Sequence, residues 1–446
     1  MQTYSKKIVN GWVMYDWANS VYNLVITTTI YPAYYVAVTS DKDNNTVDYV
    51  YFLGRRFVNS SLYDYAFAFA ILIVAFLSPI LSSIADYKGN KKRFLSFFCI
   101  LGSISCSGLF FFKGLDTLWI GIMFSILACI GFWSSLVFYN SYLPEIAPYE
   151  DRDRVSARGF TMGYIGSVLM QLICFVFVFK PEWFGMQNDG TLPARTSFLF
   201  VGVWWLGFAQ ITLRRLPAGT PAEKRPQFGI LSNGFIELKN VWKELTHQPL
   251  LKRYLTAYFF YNMGVQTVML VASVFGSKEL NLPMEKLIIT LLIIQLVAII
   301  GAWGMAKLSG VFGNLPTLMG VVVIWIGICV ATYFIALLHD QGTNVEIHFY
   351  ALAGVAGLVM GGIQSLSRST YSKLMPVTHD TTSYFSFYDV TEKIAMVIGM
   401  ISFGLIEEIT ESMKKSVLAL IVFFVIGLFL LFYAYSWQKK KSPALT

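Results

Sequence analysis

YDYAFAFAILIVAFLSPILSSIADYKGNKKRFLSFFCILGSISCSGLFFF, residues 63–112, consists of two apolar runs joined by a short turn that carries most of the charge. Each run is about 20 residues long, the length at which an α-helix crosses roughly 30 Å of hydrocarbon. Strands of a membrane barrel are shorter and alternate apolar with polar residues, and neither run does so. In lipid the backbone polar groups have to be satisfied within a helix or a closed barrel. The stretch therefore reads as a helical hairpin through a membrane.

The same pattern fills the rest of the chain. Of its 446 residues 56% are hydrophobic and only 13% charged, more apolar surface than a water-soluble domain can hide. Spans are expected near 11–38, 63–86, 94–112, 117–140, 156–179 and 197–213, and again near 251–276, 285–307, 316–338, 347–372, 383–407 and 416–437. Between the two sets lies a polar stretch that opens with LPAGTPAEKRPQ and continues as FIELKNVWKELT, which has the pattern of an amphipathic surface helix. The expected organisation is an N-terminal six-helix bundle (1–216), a cytoplasmic linker (217–249) and a C-terminal six-helix bundle (250–446), in an all-α membrane protein of twelve transmembrane helices.

Charge gives the orientation. With both termini on one side, that side collects about 23 of the 34 basic residues, so both termini are expected in the cytoplasm. The net charge of +8 is then a topological signal with some attraction to membrane lipids, and nucleic acid is not an expected partner. MQTYSKKIVN leads into a run too long for a signal peptide and is expected to remain as the first helix. Cys99, Cys106, Cys129, Cys174 and Cys329 all fall in spans, far apart, and read as packing residues. The four histidines sit outside spans or at their edges, so no metal site is expected. There is no GxxxxGK[ST] sequence for driving transport by the chain's own ATPase. No paired aspartates, HExxH or Ser–His dyad within the spans points to an enzyme, and no cofactor is called for.

The turn SSIADYKGNKKRF, 82–94, resembles the GxLaDrxGrkxxl signature of the major facilitator superfamily, with Asp86, Gly89, Lys91 and Lys92 in matching positions. Ser82 stands where that family prefers Gly, and Tyr87 where it prefers Arg. Glycine permits a tight reversal, the aspartate can pair with basic groups or a helix N-terminus, and the lysines hold the cytoplasmic side. The turn thus reads as a gate latch or, more simply, as a basic turn. A degenerate echo, AKLSGVFGNLP at 306–316, keeps Leu308 and Gly313 but has Gly310 where the aspartate should be. Gly89 and Gly313 are 224 residues apart, and Asn19 and Asn262 are 243 apart; a longer first loop accounts for the difference. Both offsets fit one internal repeat.

At a finer level the chain resembles the UMF1 and Atg22-like branch of that superfamily. Three segments carry the resemblance: GWVMYDWANSVYN (11–23), NSYLPEIAPYEDRDRVSARGFTMGYIGS (140–167), and GGIQSLSRSTYSKLMP (361–376) with SYFSFYDVTEK (383–393). The resemblance implies the major facilitator fold and a secondary transporter, with amino-acid efflux in the vacuolar relatives and mostly unassigned substrates in the bacterial ones. A bacterial cytoplasmic membrane is the expected location.

Candidate site residues come from polar groups where lipid would penalise them. In the first span Asp16, Asn19, Asn23 and Thr27 follow i, i+3, i+7, i+11 spacing and would share one helical face. In the seventh, Tyr258, Asn262 and Gln266 do the same at i, i+4, i+8. Amides both donate and accept, which suits a zwitterionic or hydroxylated solute, although they can also bond helices together. In the eleventh span Asp389 and Lys393 can pair at i, i+4 beside Glu392. Such a group can couple transport to protons or act as a static ion pair. In the tenth, Arg368 is expected to snorkel to the cytoplasmic interface as an anchor. The fourth-to-fifth connection offers Glu145, Glu150, Asp151, Arg152, Arg154 and Arg158, followed by Gly159, Gly163 and Gly166 for close packing, and reads as part of a cytoplasmic gate or as a solvated loop.

Together these give a transporter of a small polar or zwitterionic, amino-acid-like solute working by alternating access. Substrate binding is assigned to Asp16, Asn19, Asn23, Tyr258, Asn262, Gln266 and Asp389, and proton coupling to Asp389, Glu392 and Lys393. The cytoplasmic gate is assigned to Asp86, Gly89, Lys91, Lys92, Glu145, Arg152 and Arg154. Competing readings are a non-transporting receptor on the same fold and an exporter of amphipathic drug-like compounds. No oligomer is implied.

Overall fold

A computed structural model describes residues 5–40, 48–186, 190–218, 236, 239–244 and 247–441, the Tyr87 side chain excepted. Every span expected from the sequence lies in helix. The first is composite: α1 (Lys6–Val21), a π-helical stretch (Tyr22–Thr29) and α2 (Ile30–Thr39). A hairpin of β1 (Tyr49–Phe52) and β2 (Arg55–Val58) leads into α3 (Asn59–Lys88) and α4 (Lys91–Gly108). Then come α5 (Leu118–Asn140), the short α6 (Leu143–Ile146), α7 (Arg152–Phe179) and α8 (Leu192–Arg215). The second set is α9 (Pro249–Lys278), α10 (Met284–Phe312), α11 (Asn314–Asp340), α12 (Glu346–Leu374), α13 (Thr381–Thr410) and α14 (Met413–Lys441).

Ten helices among the described residues are long and apolar enough to cross a membrane. The first span is not among them because the π stretch divides it into pieces of 16, 8 and 10 residues. Nor is α13, which spends its length on Asp389, Glu392, Lys393, Glu407 and Glu408. Both exceptions therefore bear the polar groups singled out above.

Local chemistry explains the boundaries. Gly89 ends α3 in the left-handed region at φ 61°, and the Gly89 and Asn90 amides return to the Asp86 and Ala85 carbonyls, a glycine C-cap that a side chain would strain. Pro249 opens α9 at the position where its missing N–H costs nothing. In the π stretch the Thr28 and Thr29 hydroxyls donate to the carbonyls of Asn23 and Leu24 at 2.8 and 2.7 Å. Both bonds reach back five residues, matching the wider turn.

Contacts divide the chain into two units, one of Met1–Tyr142 and Met162–Phe235, the other of Leu143–Thr161 and Ile236–Thr446. The first turns of α7 thus pack with the second unit and its remainder with the first. Trp12, Tyr15, Tyr31, Tyr35, Tyr139 and Trp205 are fully buried in unit 1, and Tyr254, Tyr258, Tyr261, Trp325 and Tyr371 in unit 2. Glycines let helices close on these cores. A Cβ on Gly166 of α7 would lie 2.7 Å from the Trp17 carbonyl oxygen, and one on Gly357 of α12 would lie 2.5 Å from that of Ile294. All five cysteines are buried thiols.

Most of the expected 217–249 linker lies outside the described residues; within it 239–244 are helical, with Val241 buried and Trp242 exposed. The triplets NNT at Asn44 and NSS at Asn59 have the N-x-[ST] pattern of a glycosylation acceptor, and the former lies outside the described residues. Asn59 is buried and donates from Nδ2 to Ser40 Oγ at 3.1 Å.

Candidate functional site

In unit 2 the amide stripe of α9 meets the charge cluster of α13. Tyr258, Asn262 and Gln266 are all buried. The Gln266 amide Nε2 donates to Glu392 Oε1 at 2.9 Å and, more weakly, to Asn262 Oδ1 at 3.4 Å. Next to Glu392 on α13, Lys393 Nζ donates to Asp389 Oδ1, one turn back, at 2.8 Å and stands 3.9 Å from Glu392 Oε2. The lysine side chain is 1% exposed, Asp389 8% and Glu392 14%. Two carboxylates thus face one ammonium. Tyr258 stacks on Tyr388 at 4.5 Å and Tyr388 packs on Tyr371 at 4.8 Å, walling the cluster with aromatic rings.

One group in this cluster is left over. Asn262 Nδ2 is a buried donor with no hydrogen-bond partner among the described residues. Such a donor costs about 1–3 kcal/mol, and its persistence calls for a reason, a bound ligand among them.

In unit 1, Asp16 and Asn19 of α1 are buried at 5% and 1% exposure. Tyr139 Oη donates to Asp16 Oδ2 at 2.8 Å, while the Trp12 indole stacks on the Tyr139 ring and donates to its carbonyl oxygen at 2.8 Å. Asn19 accepts a long bond from the Ser20 hydroxyl at 3.5 Å, and its Nδ2 has no partner. The single-face reading stops there. Asn23, at the start of the π stretch, is exposed. Thr27, four residues on, lines a cavity of about 10 Å³ with Tyr22, Tyr31, Tyr63 and Ser125, room for one water at most. A π turn holds more than four residues, so spacings counted at 100° per residue fail across it.

The expected gate residues fall into two groups. In unit 1, Asp86 and Lys91 are buried, the Lys91 ammonium lies 4.2 Å from the Tyr142 ring centre, and Lys92 Nζ donates to the Leu216 carbonyl at 2.7 Å. In unit 2, Arg152 donates to the carbonyls of Ser372 and Pro144 at 2.6 and 3.1 Å, and Thr381 donates to Glu145 Oε1 at 2.6 Å. Arg154, by contrast, is 71% exposed and, among the described residues, pairs with Asp151, three residues before it, at 3.0 Å. Such a surface pair is worth little.

Asp153 was not singled out by its sequence, yet it is the hub of unit 2's network. Lys373 Nζ and Ser309 Oγ donate to its Oδ2 at 2.6 and 2.9 Å, and Asn314 Nδ2 donates to its Oδ1 at 2.8 Å. Ser309 and Asn314 belong to the degenerate loop that lacks its own aspartate at Gly310, so α7 supplies that loop with the missing carboxylate. The available signal was one acid among alternating charges in EDRDR, which does not say which of them turns inward.

Arg368 overturns its expectation as a snorkelling anchor. It is 3% exposed, donates from Nε to Ser156 Oγ at 3.0 Å and from Nη2 to the Ser156 carbonyl at 2.9 Å, and its guanidinium lies 4.2 Å from the Phe160 ring centre. A fixed partner in protein outbids the interface for a guanidinium with five donors. Among the described residues, no cluster of His, Cys, Asp and Glu could hold a metal ion.

Comparison with known proteins gives consistent matches. The family described as vacuole effluxer Atg22-like matches residues 4–444. An uncharacterized MFS-type transporter, YxiO of Bacillus subtilis, is 31% identical over 95% of this chain and 93% of its own length. Autophagy-related protein 22 of Kluyveromyces lactis is 25% identical over 84% of this chain and 80% of its own. Among solved structures, the major facilitator proton:xylose symporter XylE superposes with a TM-score of 0.69 over 96% of this chain and 95% of its own, at 13% identity. That likeness concerns the fold.

Proposed function

The chain belongs to the vacuole effluxer Atg22-like family, integral membrane transporters of the major facilitator fold and not enzymes, and we propose that it exports a small zwitterionic, amino-acid-like solute in exchange for protons. The Asn262 donor, left without a partner beside the Gln266–Glu392 bond, is the observation that carries this reading. A zwitterion offers a carboxylate to Asn262 Nδ2 and an ammonium to Glu392, and each end meets the group it needs.

Proton coupling follows from the same geometry. Asp389 takes the short bond to Lys393, so Glu392, 3.9 Å from that ammonium and held by the Gln266 amide, is the carboxylate in excess. A proton or the solute's ammonium can neutralise it, and the two compete. Competition for one site is what antiport by alternating access requires. The bacterial cytoplasmic membrane, with both termini on the cytoplasmic side, is the location the basic loops and the Bacillus relative support.

The test is transport in proteoliposomes with amino acids, peptides, sugars and organic acids, with and without a pH gradient. Accumulation of an amino-acid-like solute against its gradient when the pH difference is imposed, lost in Glu392→Gln and Asp389→Asn, is the expected result. Transport that ignores the pH gradient and survives Asp389→Asn would remove the coupling, and binding without any equilibration would favour a receptor. The tyrosines around the cluster favour one rival solute, an amphipathic cation, and competition by hydrophobic amines distinguishes it.

A further inference from the structure

The β-hairpin between α2 and α3 presents a face that no described residue of its unit covers. β1 and β2 pair antiparallel from Tyr49 opposite Val58 to Phe52 opposite Arg55. Leu53 and Gly54 form the two-residue turn at φ 50° and 75°. Alternation along the strands turns Val50 inward and Tyr49, Tyr51 and Arg56 outward. Tyr51 is 74% exposed and Leu53, at the tip, 89%. A two-residue turn favours Asn or Gly at the first position, and leucine in the left-handed region there gains nothing from water.

The hairpin stands at the membrane boundary by chain continuity. β2 ends at Val58 and α3 begins at Asn59. Phe57 makes an edge-on ring contact with Tyr65 at 6.3 Å. Tyr65 lies six residues into the helix, about 9 Å along it. Tyr65 and Phe69 are 61% and 55% exposed, marking the flank that faces lipid. The hairpin thus leans on the lipid-facing flank of α3. Its cations are also unspent: Arg56 lies 3.6 Å from the Tyr49 ring centre, and among the described residues neither Arg55 nor Arg56 has a carboxylate partner.

We infer that the Tyr49–Val58 hairpin is a membrane-surface anchor: Leu53 and Tyr51 dip into the leaflet remote from the N-terminus, while Arg55 and Arg56 bind its anionic phospholipid headgroups. Aromatic and arginine side chains favour this zone because one end of each is apolar and the other polar.

The test uses the full chain in lipid nanodiscs with a nitroxide on Leu53→Cys, the native cysteines being buried and the labelled parent protein giving the background. Collisions with oxygen, which concentrates in hydrocarbon, should exceed collisions with a water-soluble nickel chelate when the bilayer contains phosphatidylglycerol. Arg55→Glu with Arg56→Glu should move the label toward water on the order of 30-fold, since each arginine near an anionic surface contributes about fivefold. Thermal melting in detergent checks that this variant folds. A label that meets nickel more than oxygen in anionic bilayers overturns the anchor. A label equally immersed in pure phosphatidylcholine, and unmoved by the charge reversal in a folded protein, overturns the headgroup assignment.

Discussion

Gln266 and Glu392 meet at 2.9 Å although 126 residues separate them, and the bond joins the amide stripe of α9 to the charged turn of α13. An amide on a carboxylate holds it without neutralising it. Glu392→Gln should therefore keep the contact and remove the charge. In proteoliposomes the variant should still exchange solute for solute, at a raised KM because the solute's ammonium meets an amide in place of a carboxylate, while the acceleration by a pH gradient disappears. A gradient response of parental size in Glu392→Gln would move the coupling elsewhere.

Asn262→Leu separates stability from function. It removes a buried donor that has no partner, so the empty protein should gain about 1 kcal/mol and melt a few degrees higher. The same change should abolish the rise in melting temperature that an amino-acid ligand gives the parent. A variant both less stable and fully able to bind would mean that the amide is an ordinary structural group.

The Asp389–Lys393 pair should behave as a unit. Lys393→Met takes the ammonium away from the buried Asp389 carboxylate, and Asp389→Asn removes the nearer of the two carboxylates facing Lys393; each should cost about 3–5 kcal/mol. The double variant Asp389→Asn with Lys393→Met should recover most of that loss. Denaturation of all four proteins in one detergent closes the cycle, and simple addition of the two single losses would show that the charges do not depend on each other.

The membrane helices were readable because twenty apolar residues have few other uses. The candidate site was readable where lipid penalises exposure: Asn262, Gln266, Asp389, Glu392 and Lys393 stood out as polar groups in spans, and the structure brings them into one cluster. Asn23, read onto the face of Asp16 and Asn19, is exposed where they are buried, because a helical wheel assumes an α-helix and the π stretch from Tyr22 to Thr29 breaks the count. Arg368 escaped because snorkelling is a rule about lipid, whereas its partner Ser156 sits 212 residues away. Asp153 escaped for the same reason, since its partners Ser309, Asn314 and Lys373 come from three later helices, α10, α11 and α12.

That last network gives the prediction with the least freedom. The second-half loop 306–316 has lost the aspartate that its counterpart keeps as Asp86, and Asp153 now receives the loop's Ser309 and Asn314 together with Lys373. Asp153 and Lys373 are 6% and 10% exposed, so little water screens the bond. Asp153→Asn should loosen the first turn of α7 from α12, and a cysteine at Ser156 should become reactive to a water-soluble thiol reagent where the same cysteine beside Asp153 is silent. Restoring an acid within the loop, Gly310→Asp, should not rescue it: Gly310 is exposed, and its side chain would enter solvent. The double-mutant cycle of Asp153→Asn with Lys373→Met should return a coupling of about 1–3 kcal/mol. A coupling near zero, with Ser156→Cys protected in every variant, would show the carboxylate to be a bystander.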